Sequence, residues 1–162
     1  MQLPYRKPGK YTHQTRDNIL SQQKFEALQK KLDRLYAERP AAAQEVSRLA
    51  EMGDFSENVE YQLAKGRLRG INQTILELEA QLNHAQIISP QQDNNRVQIG
   101  HTVTIMSDTA EQRSYTILGS AETNPAKGII SHTSPLGNLL LGKKLGETIT
   151  FNKKIFTIVE IN

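Results

Sequence analysis

The sequence contains no cysteine among its 162 residues. The chain therefore has no disulfide bond and no thiolate metal site, which fits a reducing compartment. Its four histidines are scattered without the spacing of metal ligands. A Gly-rich phosphate loop and a nucleophile motif are also missing, so the sequence offers no active site of its own. We expect a protein that is not an enzyme by itself.

Long apolar runs are missing as well. The N-terminal residues carry positive charge but no apolar run follows them, so they do not form a secretory signal. The longest uncharged stretch near the C-terminus, GIISHTSPLGNLLLG, is too short and too polar to span a bilayer. At 37% hydrophobic and 23% charged residues, the composition is typical of a globular chain. These features predict a soluble cytoplasmic protein with no membrane partner.

The residue pattern changes once along the chain. A helical period runs from about residue 19 to residue 86, and β-branched alternation follows from residue 97. The class predicted is α+β, with a long helical hairpin before a small β-sheet domain. We divide the chain into a basic N-terminal extension (1–18), the hairpin (19–86), a polar linker (87–96) and the sheet domain (97–162).

The helical half carries two apolar stripes of heptad type, separated by a short break at 52–56. They predict two antiparallel helices, each about 45 Å long at 1.5 Å per residue, that bury narrow seams against each other. Pro40 is expected to kink the first arm or interrupt its hydrogen bonding. Gly66 and Gly70 lie off the second seam, and each costs about 1 kcal/mol relative to Ala. The predicted seams are Phe25, Leu28, Leu32, Leu35, Ala42, Val46 and Leu49, then Tyr61, Ala64, Leu68, Ile71, Ile75, Leu78 and Leu82.

An acidic stretch, AEMGDFSENVEY (50–61), lies at this break in a chain whose net charge is +3. Gly53 suits the left-handed residue that ends a helix, and Asp54 with Glu57 has the spacing of an N-cap and a carboxylate three residues later. In that interpretation the pair only stabilises the second helix, by about 1 kcal/mol. A compatible interpretation is that two carboxylates at the end of a thin rod deliver oxygen ligands for a divalent cation into a narrow cavity.

Basic residues form two groups. Four lie between positions 6 and 16, and we interpret them as part of a solvated tail. Lys65, Arg67 and Arg69 follow the acidic stretch. This second group either attracts nucleic-acid phosphates or is the solvated face of a helix.

The C-terminal half predicts strands and one short helix. Asn152 and Lys153 fit a hairpin turn, and Ser134 and Pro135 fit the start of the helix. The helix holds four leucines, of which most are expected in the core and the rest on a docking surface. These leucines are Leu136, Leu139, Leu140 and Leu141. The predicted strands are 97–106, 113–119, 147–152 and 154–161.

Several motifs together resemble the bacterial Gre transcript-cleavage factors, GreA and GreB. They are Glu38-Arg39-Pro40, the sequence GDFSENVEY, the second heptad arm, and ISHTSPLGNLLLGKKLGE near the C-terminus. The resemblance covers nearly the whole chain, from about residue 19 to residue 162. It implies a coiled-coil hairpin followed by a small FKBP-like domain with a short helix.

The resemblance implies roles for the acidic residues. In Gre factors the hairpin enters the secondary channel of RNA polymerase, and Asp54 and Glu57 match the tip residues that reach the active centre of a backtracked complex. The Asp helps to bind a second Mg²⁺ and the Glu orients the attacking water. The ion is therefore shared with the polymerase, and the factor has no cofactor of its own. Residues expected to shape the tip are Gly53, Phe55, Ser56, Asn58 and Tyr61. For Phe55 and Tyr61, apolar packing at the end of the hairpin is an equally good interpretation.

Other roles follow from the same resemblance. The cluster of Lys65, Arg67 and Arg69 corresponds to a basic patch that holds the displaced RNA 3′ segment. The sheet domain is expected to dock on the channel rim, so the implied partners of a monomeric factor are bacterial RNA polymerase and the nascent RNA 3′ end. Residues expected to dock are Ser134, Pro135, Leu136 and Leu139.

The sequence departs from the Gre pattern near this segment, at 124–126 and at Asn138. Two other functions therefore stay open beside the cleavage factor. One is a channel-binding regulator or inhibitor of the same build that cleaves nothing. The other is a coiled-coil adaptor with an FKBP-like interaction domain. Asp54 and Glu57 favour the cleavage factor.

Overall fold

Two long antiparallel helices form the N-terminal half of the protein. The structure, a computed structural model, describes residues 17–52, 59–88 and 95–162. Helix α1 spans Gln22–Glu51 and helix α2 spans Val59–Asn83. The predicted hairpin is confirmed, with α1 ending at the start of the predicted break.

The apolar seams bury each other as the heptad pattern predicted. Every buried residue of the hairpin core belongs to the predicted seams, because only these positions face the other arm. Burying an aliphatic side chain of this size contributes about 1.5–3 kcal/mol. The buried residues are Leu32, Ala42, Ile71, Ile75 and Leu78, with Leu28, Leu35, Leu68 and Leu82 packed around them.

Polar contacts between the two arms flank this seam. The hydroxyl of Tyr36 donates a hydrogen bond to Glu79, and this bond raises the pKa of Tyr36. Arg67 donates to Glu38 at 2.6 Å. Both contacts join α1 to α2 from outside the apolar stripe, so they favour one register of the arms.

Helix α1 runs without a break through Pro40. A proline nitrogen has no hydrogen, so the bond to the carbonyl of Tyr36, four residues earlier, is missing. The expected interruption is therefore limited to that one bond, and the helical seam continues to Leu49, which is buried.

Two very short strands close the base of the hairpin. Strand β1 (Ile19–Leu20) pairs in parallel with strand β2 (Gln86–Ile87). Asn18 extends this pairing, since its carbonyl accepts the N–H of Gln86 at 2.7 Å. Asn18, expected in the extension, and Ile87, expected in the linker, thus form part of the hairpin base.

The C-terminal half forms a five-stranded sheet with a short helix, which confirms the predicted α+β class. The strand order is β5-β4-β3-β7-β6, with β4 and β5 parallel and the other neighbours antiparallel. The elements are β3 (Thr102–Ser107), β4 (Gln112–Leu118), β5 (Ile129–Ser131), α3 (Pro135–Leu140), β6 (Thr148–Phe151) and β7 (Lys154–Ile161).

The turn between β6 and β7 is the predicted one. Asn152 and Lys153 have φ angles of 51° and 63°, as a two-residue hairpin turn requires. The first predicted strand is shorter than expected and begins only at Thr102. Gly100, with φ of 103°, turns the chain just before it. Val97 is buried in the core but belongs to the preceding loop.

Candidate functional site

The predicted acidic tip falls in the segment 53–58, outside the described residues. The roles of its members therefore stay predictions. They are Gly53, Asp54, Phe55, Ser56, Glu57 and Asn58. The segment connects the far end of α1 to the start of α2, and α1 is 30 residues or about 45 Å long.

Large apolar side chains surround the described ends of the two helices. Met52, Val59 and Leu63 are each 69% exposed. Val59 and Leu63 are four residues apart, so they lie on the same face of α2. Sequence reasoning missed this patch because it searched for the buried seam. The available signal was the presence of large apolar residues outside the seam positions, within three residues of them.

Tyr61 is the one predicted tip residue that the structure describes, and it is half-buried near the start of α2. The ammonium nitrogen of Lys65 lies 5.8 Å from the centre of its ring. That distance is within the range of a cation–π contact, worth about 0.5–1 kcal/mol at an exposed site. The contact joins the predicted tip to the predicted basic cluster on one face of α2.

The basic cluster is divided between two sides of α2. Arg67 is engaged with Glu38 of α1, and this hydrogen bond raises the pKa of Arg67. Successive helical residues differ by about 100°, so Lys65 and Arg69 lie within about 40° of each other, whereas Arg67 points away from both. Arg69 is exposed and has no ion-pair partner in the described part of the chain. Two of the three predicted RNA-binding residues thus share a face.

The predicted docking segment contains the helix α3. Ser134 caps it, accepting the N–H of Gly137 at 3.0 Å and donating to the carbonyl of Ser131 at 2.6 Å. Pro135 is the first helical residue, as predicted. Gly137 packs tightly, since a Cβ there would lie 2.1 Å from the carbonyl oxygen of Ser131.

The leucines of α3 have different environments. Leu136 and Leu140 are 8% and 0% exposed and belong to the core of the sheet domain. Leu136 is therefore largely buried, and the docking role expected of it stays a prediction. Leu139 is 39% exposed, and its docking role stays a prediction. Asn138, one of the departures from the Gre pattern, is exposed beside it.

Within the described ranges, no group of three or more His, Asp or Glu side chains is placed to hold a metal ion. Asp54 and Glu57 can offer carboxylate oxygens, which are the ligands that Mg²⁺ prefers. Two carboxylates supply only part of an octahedral shell. The donor chemistry of the pair therefore fits a metal site that another molecule completes.

Family sequence models match both halves of the chain. The model described as the N-terminal domain of transcription elongation factors matches residues 18–87, and that described as the C-terminal part of GreA/GreB transcription elongation factors matches residues 91–162. The chain belongs to the GreA/GreB family of transcription elongation factors. Elongation factors are not enzymes in their own right, so membership confirms that prediction and confirms the resemblance.

Individual relatives of this GreA/GreB protein are similar over most of its length. Transcription elongation factor GreA of Nitratiruptor sp. is 40% identical over 133 residues, covering 81% of this chain and 82% of the relative. The GreA of Macrococcus caseolyticus is 37% identical over 150 residues, covering 88% and 95%. The crystal structure of GreA factor homolog 1 of Thermus thermophilus is 25% identical and covers 89% of this chain and 97% of that chain, with a TM-score of 0.42.

In the described part of this GreA/GreB chain, neither long helix has a stretch apolar enough to cross a membrane.

Proposed function

We propose that this protein is a transcription elongation factor that acts on bacterial RNA polymerase. It inserts its hairpin into the secondary channel of the polymerase and stimulates the cleavage of backtracked transcript, which rescues stalled complexes in the cytoplasm. The factor acts as a monomer. Its partners are the polymerase and the nascent RNA 3′ end, toward which Lys65 and Arg69 present positive charge from one face of α2.

The observation that supports this proposal most is the shape of the hairpin. A pair of packed helices, about 45 Å and about 38 Å long, is thin enough to enter a channel closed to a globular domain. Its described ends, Met52 and Val59, flank the sequence that holds Asp54 and Glu57. An acidic segment at the end of such a rod is suited to work inside another protein.

Asp54 and Glu57 act within the active centre of the polymerase. A Mg²⁺ ion shared with the polymerase supplies activation of water and stabilisation of the in-line transition state in phosphodiester hydrolysis. In this proposal Asp54 contributes an oxygen ligand and Glu57 holds the attacking water. The factor thus completes a hydrolytic site without having one itself.

The experiment is to mix the protein with a stalled, backtracked elongation complex and measure shortening of the transcript. Asp54→Asn should slow shortening by at least about tenfold, as loss of a group that supports a metal site does, while binding to the polymerase is retained. Asn also caps helices well, so a purely structural Asp54 predicts almost no loss. Glu60→Gln, an exposed carboxylate in the first turn of α2, is the matched control and should stay at the parent rate.

Two results would contradict the proposal. An Asp54→Asn variant as active as the parent would make Asp54 a structural cap. A parent protein that binds the polymerase and slows RNA synthesis without shortening any transcript would be a channel-binding inhibitor instead.

A further inference from the structure

The base of the hairpin is bonded to the sheet domain through one carboxylate. Glu122 lies in the 3-10 turn Ser120–Glu122 between β4 and β5. It accepts two hydrogen bonds from Ser21, from the backbone N–H at 2.6 Å and from the hydroxyl at 2.6 Å. Ser21 is the N-cap of α1, and its hydroxyl oxygen also accepts the N–H of Lys24. A side chain of the sheet domain therefore holds the N-cap residue of the helix that leads to the tip.

A second carboxylate crosses the same junction in the opposite direction. Both oxygens of Asp17, which precedes β1, accept the backbone N–H of Ser120, at 3.0 and 3.1 Å. Nδ1 of His132 lies 3.4 Å from the same carboxylate. Asp17 and His132 are both mostly buried there, at 14% and 16% side-chain exposure. Two carboxylates, one from each side, thus bind backbone groups of the other domain.

Steric contact leaves no room for these bonds to slide. A Cβ added to Gly119 would lie 2.0 Å from the carbonyl oxygen of Ile19, so the backbones of β1 and of this loop touch. The neighbouring Leu20 is completely buried. The contact is defined by backbone atoms on both sides, which makes its geometry specific rather than merely apolar.

The length of the hairpin amplifies any error at this junction. A rotation of about 10° at the base moves the end of a rod of about 45 Å by about 8 Å. Displacing a group in a reacting centre by about 1 Å can slow the reaction about 100-fold. A tip that must meet a reacting phosphodiester therefore needs a base held to within about 1–2°.

We propose that Asp17 and Glu122 are positioning residues that fix the direction of the hairpin relative to the sheet domain and thereby the delivery of its tip. The effect on delivery of the tip rests on the proposed function. The orientation of the hairpin itself does not depend on that function. Asp17 and Glu122 act through the backbone of α1 and β1 and do not touch the reacting atoms.

The orientation is measurable because the chain has no cysteine. Gln44→Cys on α1 and Thr150→Cys on β6, both exposed positions, allow two spin labels without background labelling. The parent should give one narrow distance distribution between them. Glu122→Ala should broaden it to at least about twice its width, because both bonds to Ser21 are lost. Glu111→Ala, which removes only the exposed contact with Arg113 within the sheet domain, is the matched control and should leave the width unchanged.

The rate of transcript shortening then tests whether the orientation of the hairpin affects delivery of its tip. With Glu122→Ala the maximal rate at saturating protein should fall about tenfold or more, since misdirected tips react poorly. The concentration giving half the maximal rate should change less than about twofold, because the docking surface is intact. Glu122→Gln keeps one acceptor oxygen for Ser21 and should recover part of the rate. A residue that merely stabilises the fold would not lower the maximal rate while leaving the half-maximal concentration unchanged. Nor would its effect be partly reversed by Glu122→Gln.

Each outcome is decisive for one claim. Unchanged distance distributions in Glu122→Ala would overturn the orienting role, whatever the activity. Broadened distances with an unchanged maximal rate would overturn the positioning role. If the parent protein does not shorten the transcript, the proposed function and the delivery role are both contradicted. The distance distributions still test the orienting role in that case.

Discussion

Four glycines allow the packing of both domains to be tested with one type of substitution. Gly66 and Gly70 lie in α2, and a Cβ at either position would meet nothing within 4 Å. At Gly119 and Gly137 a Cβ would lie 2.0 and 2.1 Å from backbone carbonyl oxygens. Alanine should therefore stabilise the protein at the first two positions and destabilise it at the other two.

The magnitude follows from helix propensity. Ala is favoured over Gly inside a helix by about 1 kcal/mol, so Gly66→Ala and Gly70→Ala together should raise the free energy of unfolding by about 2 kcal/mol. The two sites are exposed, and the added methyl groups reach no neighbour that must move. If the hairpin unfolds as its own unit, each 1 kcal/mol raises its midpoint temperature by about 4–8 °C, against about 2–4 °C for the whole chain as one unit.

Urea and thermal unfolding followed by circular dichroism at 222 nm measure these changes, because α1 and α2 dominate the helical signal. Gly119→Ala and Gly137→Ala serve as opposite controls, since carbonyl oxygens at such distances force a backbone shift. A double alanine variant of α2 that is no more stable than the parent would refute the assignment of these glycines to an open face. It would mean that the N-terminal part of α2 is not a continuous helix in solution.

Two further predictions concern the basic face and the domains. Replacing Lys65 and Arg69 with Gln should weaken transcript shortening most on long backtracks and flatten its salt dependence, whereas Arg67→Gln, which breaks the pair with Glu38, should do neither. Equal losses for both variants would contradict a shared RNA-facing side. Expressed separately, residues 1–86 should shorten transcripts only at high concentration, and residues 97–162 should fold, compete with the parent for the polymerase and shorten none. A C-terminal fragment that fails to compete would indicate a different docking partner.

The hairpin was predictable because its signal is periodic. Fourteen apolar residues specify two seams, at spacings of three and four once Arg39 is counted as one position of the first stripe. Antiparallel packing is the only way for such short-linked arms to cover them. The turn at Asn152 and Lys153 was predictable for a similar reason, since few residue pairs tolerate two positive φ angles. The seams were predictable because their pattern repeats along the helix, and the turn because the required residue pair is rare.

The environments of individual side chains in α3 and in the basic cluster were only partly predictable. Composition places several leucines in α3, but the direction in which the helix meets the sheet decides that Leu136 is buried and Leu139 exposed. In the same way, three basic residues at alternate positions predict one cluster, whereas the pairing of the helices places Arg67 beside Glu38. Burial and charge pairing depend on neighbours that are remote in sequence.

The order of residues along the chain specifies the two arms, their seams, the break between them and the α+β class, because each of these follows from the pattern within one element. The way in which the hairpin is joined to the sheet domain required the folded molecule. Strands of two residues carry no periodic signal, and the bond between Ser21 and Glu122 joins residues 101 positions apart. A contact of that kind depends on both domains being folded, so it becomes visible only when their surfaces meet.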